Sequence, residues 1–383
     1  MRILITALAP SHLLCMVPLA WAARTAGHDV LVAGRTPVAR AAAAAGLPAV
    51  EVDEVPVAQL RERGSRIFPG HGWRHPLEIR VDQVLDGYLA SATRFRPDLL
   101  LCDPIEFSGL ITAGLLDVPA VVQRWGSPDA FTAGALERAD AALGELCAGL
   151  GLDGGTVPRP VLTLDPCPPS LRPQPADPAL PMRFVPYNGP QPVPGWAVAP
   201  ARRPRVCVSF GLFGSQAAVH GADFVEAGEL TDRIAALTEA LRRRPDLDVL
   251  LAVPGALRDA LGEPPSWFQA VDRMPLDQLF ADCALAVHHG GAGTAMTACA
   301  RGVPQLVLPP DHPSLASCAE GLVRGGGAVR LDAAAQTDPD AVGQALALLL
   351  DDPGPRARAG RLAEEIAAQP APSALVSRLA AVL

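Results

Sequence analysis

The sequence predicts an α/β protein made of two Rossmann-like, parallel-sheet halves that face each other across a cleft. Three observations predict it. Short apolar runs alternate with helix-length stretches, the pattern of strands covered on both faces by crossover helices. That series is interrupted by a proline-dense interval between Val157 and Pro204 and then begins again. The length, 383 residues, exceeds what one core ordinarily holds and suits two domains of similar size.

Taken in order, "RILITAL" reads as a buried strand and "APSH" as the turn after it. Leu13 to Ala26 follow as a helix stopped by Gly27, and "HDVLVAGR" as the next strand. "AAAAAGLPAVEV" repeats helix, glycine stop and strand. "RPDLLLCDP" and "VPAVVQRW" give two more strands, with "EFSGLITAGLLD" the helix between them. Proline suits neither helix interiors nor central strands. The interval from Val157 is therefore expected to be an extended excursion at the edge of the first domain, passing after Tyr187 into a stiff linker. The second half supplies "RVCVSFG", a helix from Leu230 to Arg243, "LDVLLAVPG", "FQAVDRMP", "CALAVHHGG", "PQLVLPP" and "GAVRLD". From Pro353 the tail reads as helical. The expected division is residues 1–189, a proline-rich linker over 190–204, residues 205–368, and a terminal helix over 369–383 that packs back on the first half.

Composition narrows the function. With 49% hydrophobic residues the chain can bury a large core, which argues against disorder. A net charge of −8 argues against a non-specific nucleic-acid binder. The chain has no lysine, so all its strong cations are arginines. Its eight cysteines are scattered without a C-x-x-C pair, which writes neither a zinc site nor a redox motif and fits a reducing, cytoplasmic compartment. The apolar opening is broken by "PSH" and Pro18 and lacks a cleavage site. No stretch reaches the ~20 apolar residues of a membrane span, so a soluble protein is expected.

The most informative string is "HHGGAGTAMTACARGVPQLVLP". A strand ends at His288 and His289, a glycine-rich turn follows, and a helix begins near Ala292. Gly290, Gly291 and Gly293 let the backbone approach a bulky anion, and the helix N-terminus attracts negative charge. Thr294 can add a hydroxyl and His289 a ring N–H. The lysine of a Walker loop and the G-x-G-x-x-G of a dinucleotide site are both absent. A diphosphate is the anion this pattern suits; a glycine-rich helix cap beside a core histidine is the structural alternative.

These residues resemble the donor signature of GT-B-fold family 1 glycosyltransferases, in particular the bacterial natural-product enzymes that decorate polyketides and macrolides. The resemblance extends over nearly the whole chain, through "RILITALAPSHLLCMVPLAWAARTAGHDV", "DLLLCDP", "LLDVPAVVQRWG", "LDPCPPSL" and "VPYNG". Within that family the chain resembles the spinosyn rhamnosyltransferase group. The resemblance implies that His289, Gly291, Ala292, Gly293 and Thr294 hold the donor diphosphate, with the turn from Ser209 to Gly214, including Gly211, approaching the same phosphates. Ser209 fits equally a strand-end hydroxyl bonded to its own backbone. Arg273, Met274 and Pro275 are implied at the nucleobase, largely through backbone atoms. The family's acidic–Gln pair after "LVLP" is replaced here by "PPDHPSLASC", which leaves Asp311 as a lone candidate for the donor sugar.

Inverting transfer needs a base for the acceptor proton, and an imidazole titrates in the right range. His12 ends the first strand-to-helix turn, and Asp103 ends the parallel strand "DLLLCD". A carboxylate on the far ring nitrogen fixes the tautomer and stabilises the imidazolium. In the resembling family a His and an Asp at these positions form that dyad. Trp125 is a pocket candidate, with its neighbour Arg124, and core packing is an equal reading. Phe68, His71 and Trp73 compose a segment suited to a flap over an apolar acceptor and equally to a surface loop.

The expectation is an inverting glycosyltransferase that moves a deoxysugar from a nucleotide-diphosphate donor, thymidine-linked by the resemblance, to a hydroxyl of a hydrophobic polyketide-like acceptor. C-glycosylation of an aromatic polyketide and a silent nucleotide-sugar-binding partner protein remain alternatives. No metal and no cofactor beyond the nucleotide-sugar co-substrate are expected. Nor is a nucleic-acid partner or a membrane span. A homodimer is possible on the family's habit.

Overall fold

The computed structural model describes residues 1–63, 75–126, 133–172, 178–197, 199–210, 227–252, 268–271, 274–311 and 313–383. In the first half these give β1 (Arg2–Thr6), α1 (Pro10–Thr25), β2 (Asp29–Gly34), α2 (Thr36–Ala44), β3 (Ala49–Glu51), α3 (Val57–Arg63), α4 (Pro76–Phe95), β4 (Leu99–Cys102), α5 (Phe107–Leu115), β5 (Ala120–Gln123), α6 (Ala133–Gly149), β6 (Leu162–Asp165) and β7 (Leu180–Pro181). The second half gives β8 (Arg205–Ser209), α7 (Ala227–Arg242), β9 (Asp248–Ala252), β10 (Phe268–Val271), α8 (Leu276–Phe280), β11 (Leu285–His288), α9 (Ala292–Ala300), β12 (Gln305–Val307), α10 (Pro313–Arg324), β13 (Ala328–Arg330), α11 (Pro339–Asp351), α12 (Pro353–Ala368) and α13 (Pro372–Ala380).

Two parallel sheets result, ordered β3-β2-β1-β4-β5-β6-β7 and β10-β9-β8-β11-β12-β13. In each, the first strand of its half is central, so the loops after β1 and β4, and after β8 and β11, open side by side. The register pairs Thr6 with Cys102 and Ser209 with His288, which brings the ends of those strand pairs level. The strands are buried on both faces, as their unbroken apolar runs require.

The structure departs from the sequence reading in three places. Helix α1 begins at Pro10 rather than Leu13, because proline at the first helical position has its φ preset and no N–H to leave unpaired. His12 therefore sits in the first turn of the helix. The proline-dense interval is not only an excursion: it adds β6 and β7 to the sheet edge, where prolines flank the pairing residues or face no further strand. Helix α4, 20 residues long, was not read at all. Its N-cap is His75, whose ring accepts from Leu77 N at 3.1 Å while Glu78 accepts from His75 N at 3.1 Å, a capping box.

The halves are joined by more than the linker. Cys167, Leu171 and Phe184 of the first half share a core with Ala295, Met296 and Cys299 of α9, Cys318 and Leu322 of α10, and Leu362 and Ile366 of α12. The chain crosses back at its end: Arg183 N donates to Pro370 O at 2.8 Å, and Gln369 Nε2 to Cys167 O at 3.2 Å. Leu375 and Leu379 of α13 then enter the core around Leu13, Met16 and Val17 of α1, each contributing about 1.5–3 kcal/mol by burial. All eight cysteines are free thiols. Among the described residues no helix is long and apolar enough to cross a membrane.

Candidate active site

The first turn of α1 and the end of β4 bring His12 and Asp103 together. His12 Nδ1 lies 2.8 Å from Asp103 Oδ2, with the carboxylate fully buried and the imidazole 15% exposed. Asp103 is held by two backbone donors: Leu8 N reaches Oδ2 at 2.8 Å and Ile105 N reaches Oδ1 at 2.9 Å. An ionised carboxylate accepts only, so the proton between the pair sits on Nδ1 and leaves Nε2 as the basic nitrogen. The Trp125 ring stacks obliquely on the imidazole, centroids 4.0 Å apart and planes at 36°. Its indole Nε1 is buried and has no hydrogen-bond partner among the described residues.

Across the cleft, β11 ends at His288 and the chain turns through Gly290, whose φ of +92° suits glycine alone. His288 is fully buried. Gly290 N donates to its Nδ1 at 3.0 Å, so Nε2 carries the proton and donates to Gln305 Oε1 at 2.8 Å. Burial pushes the His288 pKa down to about 4, partly offset by Gln305. Burial and the neighbouring His288 push His289 down to about 3, against a backbone contact from Ser209. Both rings are therefore neutral near pH 7, and His289 acts as a polar group rather than a cation. A Cβ on Gly291 would meet His289 Nε2 at 2.5 Å, so this glycine leaves room for the ring.

Helix α9 starts at Ala292 without a side-chain cap or an acidic residue in its first turn. The first intrahelical bond is Ala295 N to Gly291 O, 3.0 Å, so the amides of Ala292, Gly293 and Thr294 have no helical acceptor. Uncapped amides and a helix dipole of the same sense suit an anion.

The two elements touch. A Cβ placed on Gly293 would lie 3.9 Å from Cys15 Sγ, one turn beyond His12 on α1. A Cβ on Gly126, directly after Trp125, would come within 2.7 Å of Met296 Cγ on α9. Gln123 Nε2 donates to Cys15 O at 2.7 Å and fixes β5 against α1. The first turns of α1 thus pack close to the start of α9.

Other candidates fall less neatly. Ser209 is 4% exposed at the end of β8, level with His288. Met274 is buried at 9% and Pro275 caps α8, in a cluster with Val193 and Trp196 of the linker. Asp311 is exposed, with its side chain in solvent. Arg124 is drawn into the interior, where it donates to Asp165 Oδ2 at 3.1 Å. Phe68, His71, Trp73, Gly211 and Arg273 lie outside the described residues. Sequence reasoning missed His288 as the residue that locks the turn, Cys15 as the contact between the halves, and Asn188. Asn188 donates to Thr297 Oγ1 at 3.1 Å and accepts from Asp277 N at 2.8 Å, tying the linker to α9 and α8. The signal for Asn188 was present in "VPYNG", a polar residue among turn formers next to a predicted linker.

Two family models match the chain: the erythromycin biosynthesis protein CIII-like N-terminal domain over residues 21–211 and the corresponding C-terminal domain over residues 237–382. The chain is 36% identical to an L-demethylnoviosyl transferase of Streptomyces niveus, covering 100% of this chain and 98% of the relative. It is 31% identical to a 10-deoxymethynolide desosaminyltransferase of Streptomyces venezuelae, covering 99% and 96%. Among solved structures it is similar to the spinosyn rhamnosyltransferase SpnG complexed with thymidine diphosphate, with a TM-score of 0.82, 32% identity and 99% of each chain covered.

Proposed function

Because the chain belongs to the erythromycin biosynthesis protein CIII-like family of glycosyltransferases, we propose that it transfers a deoxysugar from a thymidine-diphosphate donor to a hydroxyl of a polyketide-like acceptor, with inversion at the anomeric carbon. It is a glycosyltransferase of the GT-B fold. The first sheet provides the acceptor half and the second the donor half.

In this reading His12 Nε2 removes the acceptor hydroxyl proton as the oxygen attacks the anomeric carbon from the face opposite the leaving group. The bond from that carbon to the diphosphate oxygen breaks, and its electron pair stays on the diphosphate. Asp103 holds the imidazole in the tautomer that accepts at Nε2 and offsets the charge of the imidazolium that forms. The amides of Ala292, Gly293 and Thr294, with His289, take up the charge that develops on the diphosphate. Met274 and Pro275 border the base, and Asp311 is the candidate nearest the sugar. No metal is assigned, because the uncapped helix end already opposes the leaving-group charge. Activity should accordingly persist in excess chelator.

The observation that carries the proposal is the buried His12–Asp103 pair one helical turn from Cys15, which packs against the cluster that holds Ala295 and Met296 of α9. Replacing His12 by Ala should lower kcat for transfer by about 10²–10⁴-fold and leave calorimetric affinity for thymidine diphosphate unchanged. Transfer at wild-type rate by this variant would refute the base assignment. Product anomeric configuration, read by proton coupling, tests inversion separately.

A further inference from the structure

Tyr187 and Asn188 are neighbours in the segment that joins the halves, and they grip opposite sides. The Tyr187 ring packs against the core around α1 and meets Trp21 of that helix edge-on, with centroids 4.9 Å apart. Asn188 enters the second half. Its Oδ1 accepts from Asp277 N, in the first turn of α8, at 2.8 Å. Its Nδ2 donates to Thr297 Oγ1 of α9 at 3.1 Å, and the Thr297 hydroxyl donates to Gly293 O at 2.6 Å. These bonds fix one another's sense. Asp277 N is a donor and faces the amide oxygen; the Thr297 proton is spent on Gly293 O, so the hydroxyl oxygen accepts from Nδ2. Thr297 is fully buried. Helix α8 has no side-chain cap of its own at Pro275, and Asn188 supplies one from outside the helix.

Gly293 O belongs to the same planar peptide as Thr294 N, one of the amides without a helical acceptor at the start of α9. A bond that holds the carbonyl oxygen therefore holds the direction in which that N–H points, and it polarises the peptide towards stronger donation. We propose that Asn188 is a positioning residue for the donor diphosphate. It acts through Thr297 on the Gly293–Thr294 peptide, while its other end pins α8, the helix that follows Met274 and Pro275. The inference rests on the proposed function, in which those amides meet the diphosphate. It gives the linker a part in donor binding beyond joining the halves, because one side chain sets the diphosphate turn and the base segment in a single frame. The bidentate Arg301–Asp277 pair, at 2.6 and 2.5 Å, also joins α8 to α9. It does so past the far end of α9, about two turns from Gly293, and leaves the orientation of that peptide to Thr297.

Calorimetric titration with thymidine diphosphate tests this relay. Asn188→Ala and Thr297→Val should each weaken binding about tenfold. Both break the same chain of bonds, so the double variant should also lose about tenfold rather than about a hundredfold. Thr297→Ser keeps the hydroxyl and should stay within about twofold of the wild type. A linker that only joined the halves would lower the melting temperature of Asn188→Ala and leave its thymidine diphosphate affinity unchanged, and that result would overturn the proposal. Losses that add in the double variant, or a loss in Thr297→Ser as large as in Thr297→Val, would overturn it as well. If Asn188→Ala does not fold, Asn188→Asp takes its place in the cycle with the same criterion of additivity, since it still caps α8 but has no donor for Thr297. Failure of the wild type to bind thymidine diphosphate at all would strike the proposed function itself, and this inference with it.

Discussion

Asp103 carries three bonds at once: to His12 Nδ1, to Leu8 N and to Ile105 N. The backbone bonds fix the carboxylate before any substrate arrives, and the third bond fixes the imidazole. Asp103→Asn keeps the volume but offers one acceptor oxygen in place of two and removes the charge that stabilises the imidazolium. It should lower kcat by about 10²-fold or more with thymidine diphosphate affinity intact, and cost about 1–3 kcal/mol of stability in a denaturant melt. An unchanged pH–rate profile would contradict the pairing. At this scale the sequence was informative where chemistry and position coincide, as at His12, a titratable residue after a strand. It was silent where a residue's partner comes from a distant segment. Nothing in "VVQRWG" distinguishes Trp125, which meets the imidazole, from Arg124, which turns inward to Asp165; only the alternation of side chains along the end of β5 separates them.

The strand–turn–helix from β11 to α9 is the element to which the proposed function assigns donor binding, and its two histidines sit differently. His288 accepts from Gly290 N and donates to Gln305, holding the turn; the His289 ring lies against Gly291, the N-cap of α9. The glycines made the turn legible, whereas the roles of two adjacent histidines could be assigned only from their bonding. Both are buried neutral, with pKa values pushed to about 4 and about 3. An unfolded chain would protonate them near the ordinary value of ~6.5. Below that pH the unfolded state binds more protons, so the folded state loses stability progressively as pH falls from about 6.5 towards about 3, and none above it. The melting temperature should decline across that window, and His288→Gln should flatten the decline. An identical decline in that variant would show that other groups set the acid limit. Helix α4 was illegible for a related reason: Glu78 and Asp82 lie on its buried face and break the apolar period by which a helix is recognised.

For the whole molecule, the restart of the strand–helix series after the proline interval made two halves readable without any structure. The joints between them were not, because they are contacts across hundreds of residues: Cys15 with Gly293, Gly126 with Met296, and α13 with α1. Under the proposed function, those joints bring the proton acceptor of one sheet towards the anion-binding turn of the other. The most direct test of that claim is a crystal structure with thymidine diphosphate and an acceptor bound together. The account predicts the terminal phosphate hydrogen-bonded to the amides of Ala292 to Thr294, and the acceptor hydroxyl within reach of His12 Nε2 on the side away from the diphosphate. A phosphate seated elsewhere, or a hydroxyl that no closure could bring to that nitrogen, would contradict it.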